Sequence, residues 1–241
     1  MREKNNKNKV TIIAIILITI IVATFFIINN QEEKELDQDQ SQIEKEISRE
    51  SENRIINESN KFLKILDDDY ILGQKDAPVK VIEYASLSCP HCAEFYINGF
   101  ENLKNYVDRG EVVFIYRDFP LNGPALAGSV AALCYFNKVN QGYKYHNFIK
   151  NLFKNQEKWV FSPEFIEKLK EISQIYGISD AELTKCIEDK NMQKAIITKA
   201  KEASESLEIK STPTFIINGE VVNGYSGWDA LEGVIRRKLG N

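Results

Sequence analysis

The chain has 241 residues, with 31 basic and 35 acidic side chains and a net charge of −4. Residues 1–9 hold four basic residues against one acidic, residues 31–69 hold six against thirteen, and residues 70–241 hold 21 of each. A folded part without net charge offers no electrostatic footprint for nucleic acid, and no glycine-rich phosphate loop is present, so neither nucleic acid nor a nucleotide is indicated as a partner.

In chain order, the basic flank 1–9 precedes residues 10–28, which carry no charge and are long enough to cross a hydrocarbon core as a helix. A cleavable signal peptide is the competing reading, with release into the periplasm as its consequence. The run ends in Phe25, Phe26, Ile27 and Ile28 where a cleavage site would need small residues, which favours an uncleaved single-pass anchor in the cell membrane. The basic flank then stays cytoplasmic and the rest of the chain is extracytoplasmic, where disulfide chemistry has substrates. Residues 29–60 are rich in Glu, Gln, Lys, Ser and Asn and lack Gly, Pro and aromatics. That composition cannot bury a core and reads as a charged tether; Leu36, Ile43, Ile47 and Ile55 share a helical face only loosely, without sustained heptads.

One folded domain is expected over 61–241. Asp76-Ala77-Pro78 makes a turn into a buried strand at 79–85, whose β-branched and aromatic run is interrupted by Glu83. A helix is expected at roughly 93–107, and a second strand at 111–116, ended by Asp118-Phe119-Pro120. The pattern is helical from about 124 to 209, with Ser162-Pro163 starting one helix, Gly177 stopping it, and Ser179 with Glu182 forming a capping box. Residues 214–217, Asn218-Gly219 and 220–223 read as a hairpin. Ser226 with Asp229 caps a last helix, 227–239. The fold class is α/β: a mixed sheet carrying an inserted all-helical subdomain, preceded by one transmembrane helix.

Between the first strand and its helix stands Cys89-Pro90-His91-Cys92. Two cysteines two residues apart at a strand-to-helix junction form the reactive unit of thiol–disulfide exchange. Cys89 falls at the helix N-terminus, where unpaired amides and the dipole favour a negative sulfur. Pro90 suits the first helical position, and His91 adds a donor or a positive charge near the thiolate. A zinc site would need a second ligand pair, whereas Cys134 and Cys186 stand apart and the other histidine, His146, reads as a packing residue. Haem attachment would need His at position 93, which is Ala. No metal and no cofactor beyond the two sulfurs is called for. Four cysteines outside the cytoplasm suggest two pairs; with Cys89 and Cys92 as one, Cys134 and Cys186 are expected to form a structural disulfide, the alternative being two inert buried thiols.

These motifs, with Gly73, Asp76-Ala77-Pro78, Glu83 and Thr212-Pro213-Thr214-Phe215 leading into the hairpin, resemble the DsbA family of extracytoplasmic thiol–disulfide oxidoreductases over about 72–239. The resemblance implies a thioredoxin-like sheet with an inserted helical domain. It implies Cys89 as the attacking cysteine, Cys92 as its buried partner, a cis Pro213 against the disulfide, and Thr212 as a substrate-backbone contact. Glu83 is then a proton relay for Cys92. The implied partners are exported proteins with cysteine thiols and a membrane redox partner that reoxidises the dithiol. Thr212 departs from the Val that the best-known members tend to carry and is found in related isomerase branches. A disulfide isomerase or reductase is therefore the alternative direction.

Overall fold

The computed structural model describes residues 61–240; the expected anchor at 10–28 and tether at 29–60 lie outside the described residues. Five strands form one mixed sheet in the order β1-β3-β2-β4-β5. They are β1 (Tyr70–Leu72), β2 (Val79–Ala85), β3 (Val112–Asp118), β4 (Thr214–Ile217) and β5 (Glu220–Asn223). β2 and β3 run parallel, and the other pairs are antiparallel. Alternation along the strands sorts the side chains onto two faces. Val81, Ala85, Phe114, Tyr116 and Phe215 join the larger apolar cluster, while Ile82, Tyr84, Val113, Ile115 and Ile216 join a smaller one with Phe62 and Ala203.

The connections are helical. α1 (Pro90–Asn98) and α2 (Phe100–Asp108) lie between β2 and β3. The block between β3 and β4 comprises α3 (Gly123–Val139), α4 (Gly142–Lys154), α5 (Gln156–Trp159), α6 (Phe165–Ile175), α7 (Asp180–Glu188) and α8 (Lys190–Leu207), and α9 (Trp228–Leu239) closes the chain. The inserted helical block is thus present. Its last helix, α8, runs back to the sheet, where Ala203 joins the smaller cluster. A disulfide between Cys134 in α3 and Cys186 in α7 cross-links the block, 52 residues apart in sequence. Among the described residues no helix is long and apolar enough to cross a membrane.

Four local expectations need correction. The single helix expected at 93–107 is two helices that meet at Gly99, where an added Cβ would stand 2.5 Å from the Tyr225 hydroxyl; glycine is what lets Tyr225 close over the junction. Ser162-Pro163 does not start α6. Ser162 Oγ accepts the Glu164 N–H in a local turn at 3.1 Å, and the helix begins at Phe165. Ser226 does not cap α9, whose N-cap is Gly227 at φ 114°, without a side-chain cap. β1 was not expected at all. It is held in place partly by Arg117, which reaches across the smaller face and donates to Asp69 Oδ1 and Oδ2, to the carbonyls of Phe62 and Lys64, and to the Tyr84 hydroxyl. A buried guanidinium is tolerable only when its donors are used in this way. The capping box at Ser179 and Glu182 and the positive φ of Gly177 are as expected.

Candidate active site

β2 delivers the chain to the edge of the core at Ala85, and a turn closed by the Cys89 N–H on the Ser86 carbonyl (2.9 Å) leads into α1. Cys89 is the N-cap of α1, with extended backbone (φ −85°, ψ 121°) and no side-chain cap, and Pro90 occupies the first turn. The amides that the helix start leaves without carbonyl partners therefore face the Cys89 sulfur. Both cysteines are free thiols. Cys89 keeps 7% of its surface exposed and Cys92 none, so only the first can meet an incoming sulfur.

The two sulfurs differ in acidity. The Cys89 thiol is lowered from an ordinary 9.0 to about 5, chiefly by a hydrogen bond from the Cys92 thiol. Burial opposes this, and the Thr212 side chain and the backbone N–H groups of Cys92 and His91 reinforce it. Cys92 is driven strongly upward by burial, by its donation to Cys89 and by the nearby Glu83. The pair thus shares one proton, held on Cys92, with the charge on Cys89. His91 contributes differently from the expectation. Its imidazole is exposed and stands 3.5 Å from the Glu94 carboxylate, and it is its backbone N–H that reaches the thiolate.

The third element comes from the far end of the chain. The Thr212–Pro213 peptide is cis, and Cys89 Sγ lies 3.1 Å from the Thr212 carbonyl oxygen, to which it can donate only in its protonated form. Beyond its polarising contact with Cys89, the buried Thr212 hydroxyl completes no further hydrogen bond. Thr214 Oγ1 donates to the Ser211 carbonyl at 2.8 Å, and Gly224 N–H to the Pro213 carbonyl at 2.8 Å, so β4 and β5 fix this loop against α1.

Glu83 lies behind the cysteines in the middle of β2, paired on one side with Tyr116 of β3 and on the other with Phe215 of β4. It is fully buried, and neither carboxyl oxygen has a hydrogen-bond partner. Burial holds its carboxyl well above the usual range, Tyr96 pulls it down, and the Cys89 charge pushes it up again. The protonated form of the carboxyl beside Cys92 is thereby favoured.

One contact was invisible in the sequence. Gln156, buried at the start of α5, donates through Nε2 to the carbonyls of Leu87 (2.8 Å) and Cys89 (3.0 Å). It ties the helical block to the active-site turn from 67 positions away. His146 is a packing residue, with Nε2 2.8 Å from the Tyr70 carbonyl and its pKa lowered to about 4 by burial, which favours the neutral ring. Among the described residues no group of three His, Cys, Asp or Glu side chains could hold a metal ion.

Comparison with known proteins agrees with this geometry. Residues 66–237 match the family model described as Thioredoxin. A Rickettsia bellii protein named "Putative protein-disulfide oxidoreductase" is 32% identical over 164 residues, which are 68% of this chain and 62% of that protein. The Bacillus subtilis "Disulfide bond formation protein D" is 25% identical over 176 residues, covering 70% and 76%. The match thus spans less than two thirds of the length of the rickettsial relative. The crystal structure of Wolbachia pipientis alpha-DsbA1 superposes with a TM-score of 0.70 at 30% identity, covering 76% of this chain and 96% of that one. Oxidised BdbD from Bacillus subtilis, at 22% identity and a TM-score of 0.64, shares the fold.

Proposed function

Since the chain belongs to the DsbA-like group of thiol–disulfide oxidoreductases within the thioredoxin family, we propose that it introduces disulfides into exported proteins by exchange at Cys89 and Cys92. The observation that carries this reading is the split acidity of the pair: an accessible sulfur lowered to about 5 against a buried one raised far above it.

A substrate thiolate attacks Cys89 Sγ of the oxidised enzyme. The Cys89–Cys92 bond breaks, its electron pair leaves on Cys92, and Cys92 takes a proton from Glu83. A second substrate thiolate attacks the substrate sulfur of the mixed disulfide and expels Cys89 as a thiolate. The substrate has lost two electrons and the enzyme has gained them. Each element of the Cys89 surroundings that lowers its pKa makes it a better leaving group and stabilises the reduced enzyme, and so makes the disulfide more oxidising. Thr212 and the cis Pro213 are assigned to hold the substrate backbone beside this sulfur, and Pro90 keeps the helix start open for the amides. The disulfide Cys134–Cys186 is assigned a structural role.

The remaining assignments rest on sequence and on kinship. Residues 1–9 are the cytoplasmic flank, 10–28 the membrane anchor, 29–60 the tether and 61–241 the catalytic domain on the extracytoplasmic side. A membrane redox partner removes the electrons. The test is the equilibrium of the Cys89/Cys92 pair in glutathione buffers. A potential well above the roughly −270 mV of thioredoxin is expected for the oxidase, and a value at or below it would assign the protein to the reducing direction instead.

A further inference from the structure

Cys92 and Glu83 are both fully buried, yet every turnover moves one proton onto Cys92 and every reoxidation takes it off. Among the described residues, Glu83 Oε1 and Oε2, the hydroxyls of Tyr96, Tyr116 and Tyr145, and Asp118 Oδ1 are buried polar atoms that close no hydrogen bond of full geometry, and their residues are electrostatic neighbours of one another. Folded proteins leave few such atoms, and a cluster of them calls for an explanation.

Their placement is ordered. Glu83 and Tyr116 are register partners on adjacent parallel strands, and Asp118 lies two residues beyond Tyr116 on the same face. The ring centroid of Tyr96 of α1 lies 6.4 Å from that of Tyr116, and the ring centroids of Tyr116 and of Tyr145 of α4 lie 6.3 Å apart. The ring of Tyr145 in turn packs on that of Tyr70 of β1, with centroids 4.3 Å apart. Tyr70, Tyr116 and Asp118 help to line a cavity of about 80 Å³ that also reaches Lys199 of α8. One end of the series is at Cys92 and the other at this cavity.

We infer that Tyr96, Tyr116, Tyr145 and Asp118 form a buried proton path between Glu83 and the cavity, through which the proton of Cys92 is supplied and withdrawn. The inference rests on Glu83 as the immediate proton donor to Cys92. Glu83 gives its proton to the Cys92 thiolate and becomes a carboxylate. Each hydroxyl then donates one proton toward Glu83 as it accepts another from the Asp118 side, directly or across an internal water of the kind that bridges buried polar groups. Asp118 ends as the carboxylate and regains its proton from water in the cavity. No electrons move, and no tyrosinate is formed, which matters because burial raises every one of these phenols.

The groups facing each end fit that use. Glu83 faces Cys89, Cys92, Tyr96 and Tyr116. Asp118 faces Tyr116 on its own strand, Ser129 of α3, Tyr145 of α4, Tyr70 of β1 and Lys199 of α8. Its carboxyl is raised by burial from 3.8 to about 6, held back by Ser129, Tyr116, Lys199 and Tyr145, so it exchanges protons close to neutral pH.

Single-turnover reduction of the oxidised full-length protein by dithiothreitol tests this, in light and heavy water, for wild type, Glu83→Gln, Tyr145→Phe and Asp118→Asn. Direct loss of a general acid costs about a hundredfold or more, expected for Glu83→Gln. Tyr145→Phe and Asp118→Asn, which remove relay groups remote from the sulfur, should slow the step by less than the roughly hundredfold of a direct general acid and change its solvent isotope effect. Their glutathione equilibrium should stay that of the wild type, since a path alters a rate and not an end state. Wild-type rates and isotope effects in both remote variants, with Glu83→Gln slow, would overturn the path and leave the Glu83 role standing. Wild-type rates in Glu83→Gln as well would remove both. A slowed rate matched by a shifted equilibrium would make the effect structural and equally overturn the path. Tyr145→Phe deletes one hydroxyl and leaves the buried ring in place, so the packing of the fold is kept.

Discussion

Cys89→Ser in the reduced protein should remove a pH-dependent part of its stability, and the amount follows from the site. The folded thiol is lowered from 9.0 to about 5, so at pH 7 about 99% of it is thiolate, against about 1% in the unfolded chain. Linkage converts that difference to at most about 3 kcal/mol at pH 7, and to less than about 0.5 kcal/mol at pH 5. The sulfur touches solvent, and screening reduces the pH 7 figure to roughly 1–2 kcal/mol. The sign is fixed because the folded value lies below the unfolded one. The stabilisation is complete above pH 9, declines as pH falls through the window between about 9 and about 5, and is gone below it. Glu83 and Asp118 act oppositely in part of this window, since burial raises both. The comparison is therefore a double difference: guanidinium unfolding of reduced wild type and reduced Cys89→Ser at pH 5 and pH 7. Wild type should gain about 1 kcal/mol more than the variant between the two pH values. An identical pH dependence in the two proteins would refute the reasoning.

Cys89→Ser should also abolish oxidation of a reduced substrate protein, measured by thiol consumption, whereas Cys134→Ser should retain it. The latter opens a loop of 52 residues and should cost about 3–4 kcal/mol in chemical denaturation; equal losses of activity in both variants would show the pairs to be misassigned. Gln156→Ala leaves the carbonyls of Leu87 and Cys89 without their donor and should cost about 1–3 kcal/mol, together with a slower exchange rate. An unchanged melting curve would show that the contact carries no weight.

The sequence announced those features whose signals are local. The β-branched run 79–85 and the hairpin around Asn218-Gly219 occur with the boundaries expected, because strand alternation and a two-residue turn are written within a few positions of each other. The Cys89-Pro90-His91-Cys92 stretch showed its helix N-terminus in the same way. What escaped depends on partners distant in the chain. β1 has three residues, too few to show a period, and exists by pairing with β3. Gly99 reads as part of a helix until Tyr225 is seen lying over it. The imidazole of His91 turned to Glu94, an exposed neighbour one helical turn away, which spacing alone did not weigh against the sulfur. Gln156 and the tyrosines around Glu83 are ordinary residues in sequence, and only the folded register gathers them at the cysteines.

Exchange at Cys89 requires negative charge on its sulfur at neutral pH, and the thiolate absorbance in the ultraviolet measures that directly. Titrating the reduced full-length protein should show one thiolate forming with a midpoint of about 5, while Cys92 stays protonated. A single midpoint at the ordinary cysteine value of 9.0 would contradict it.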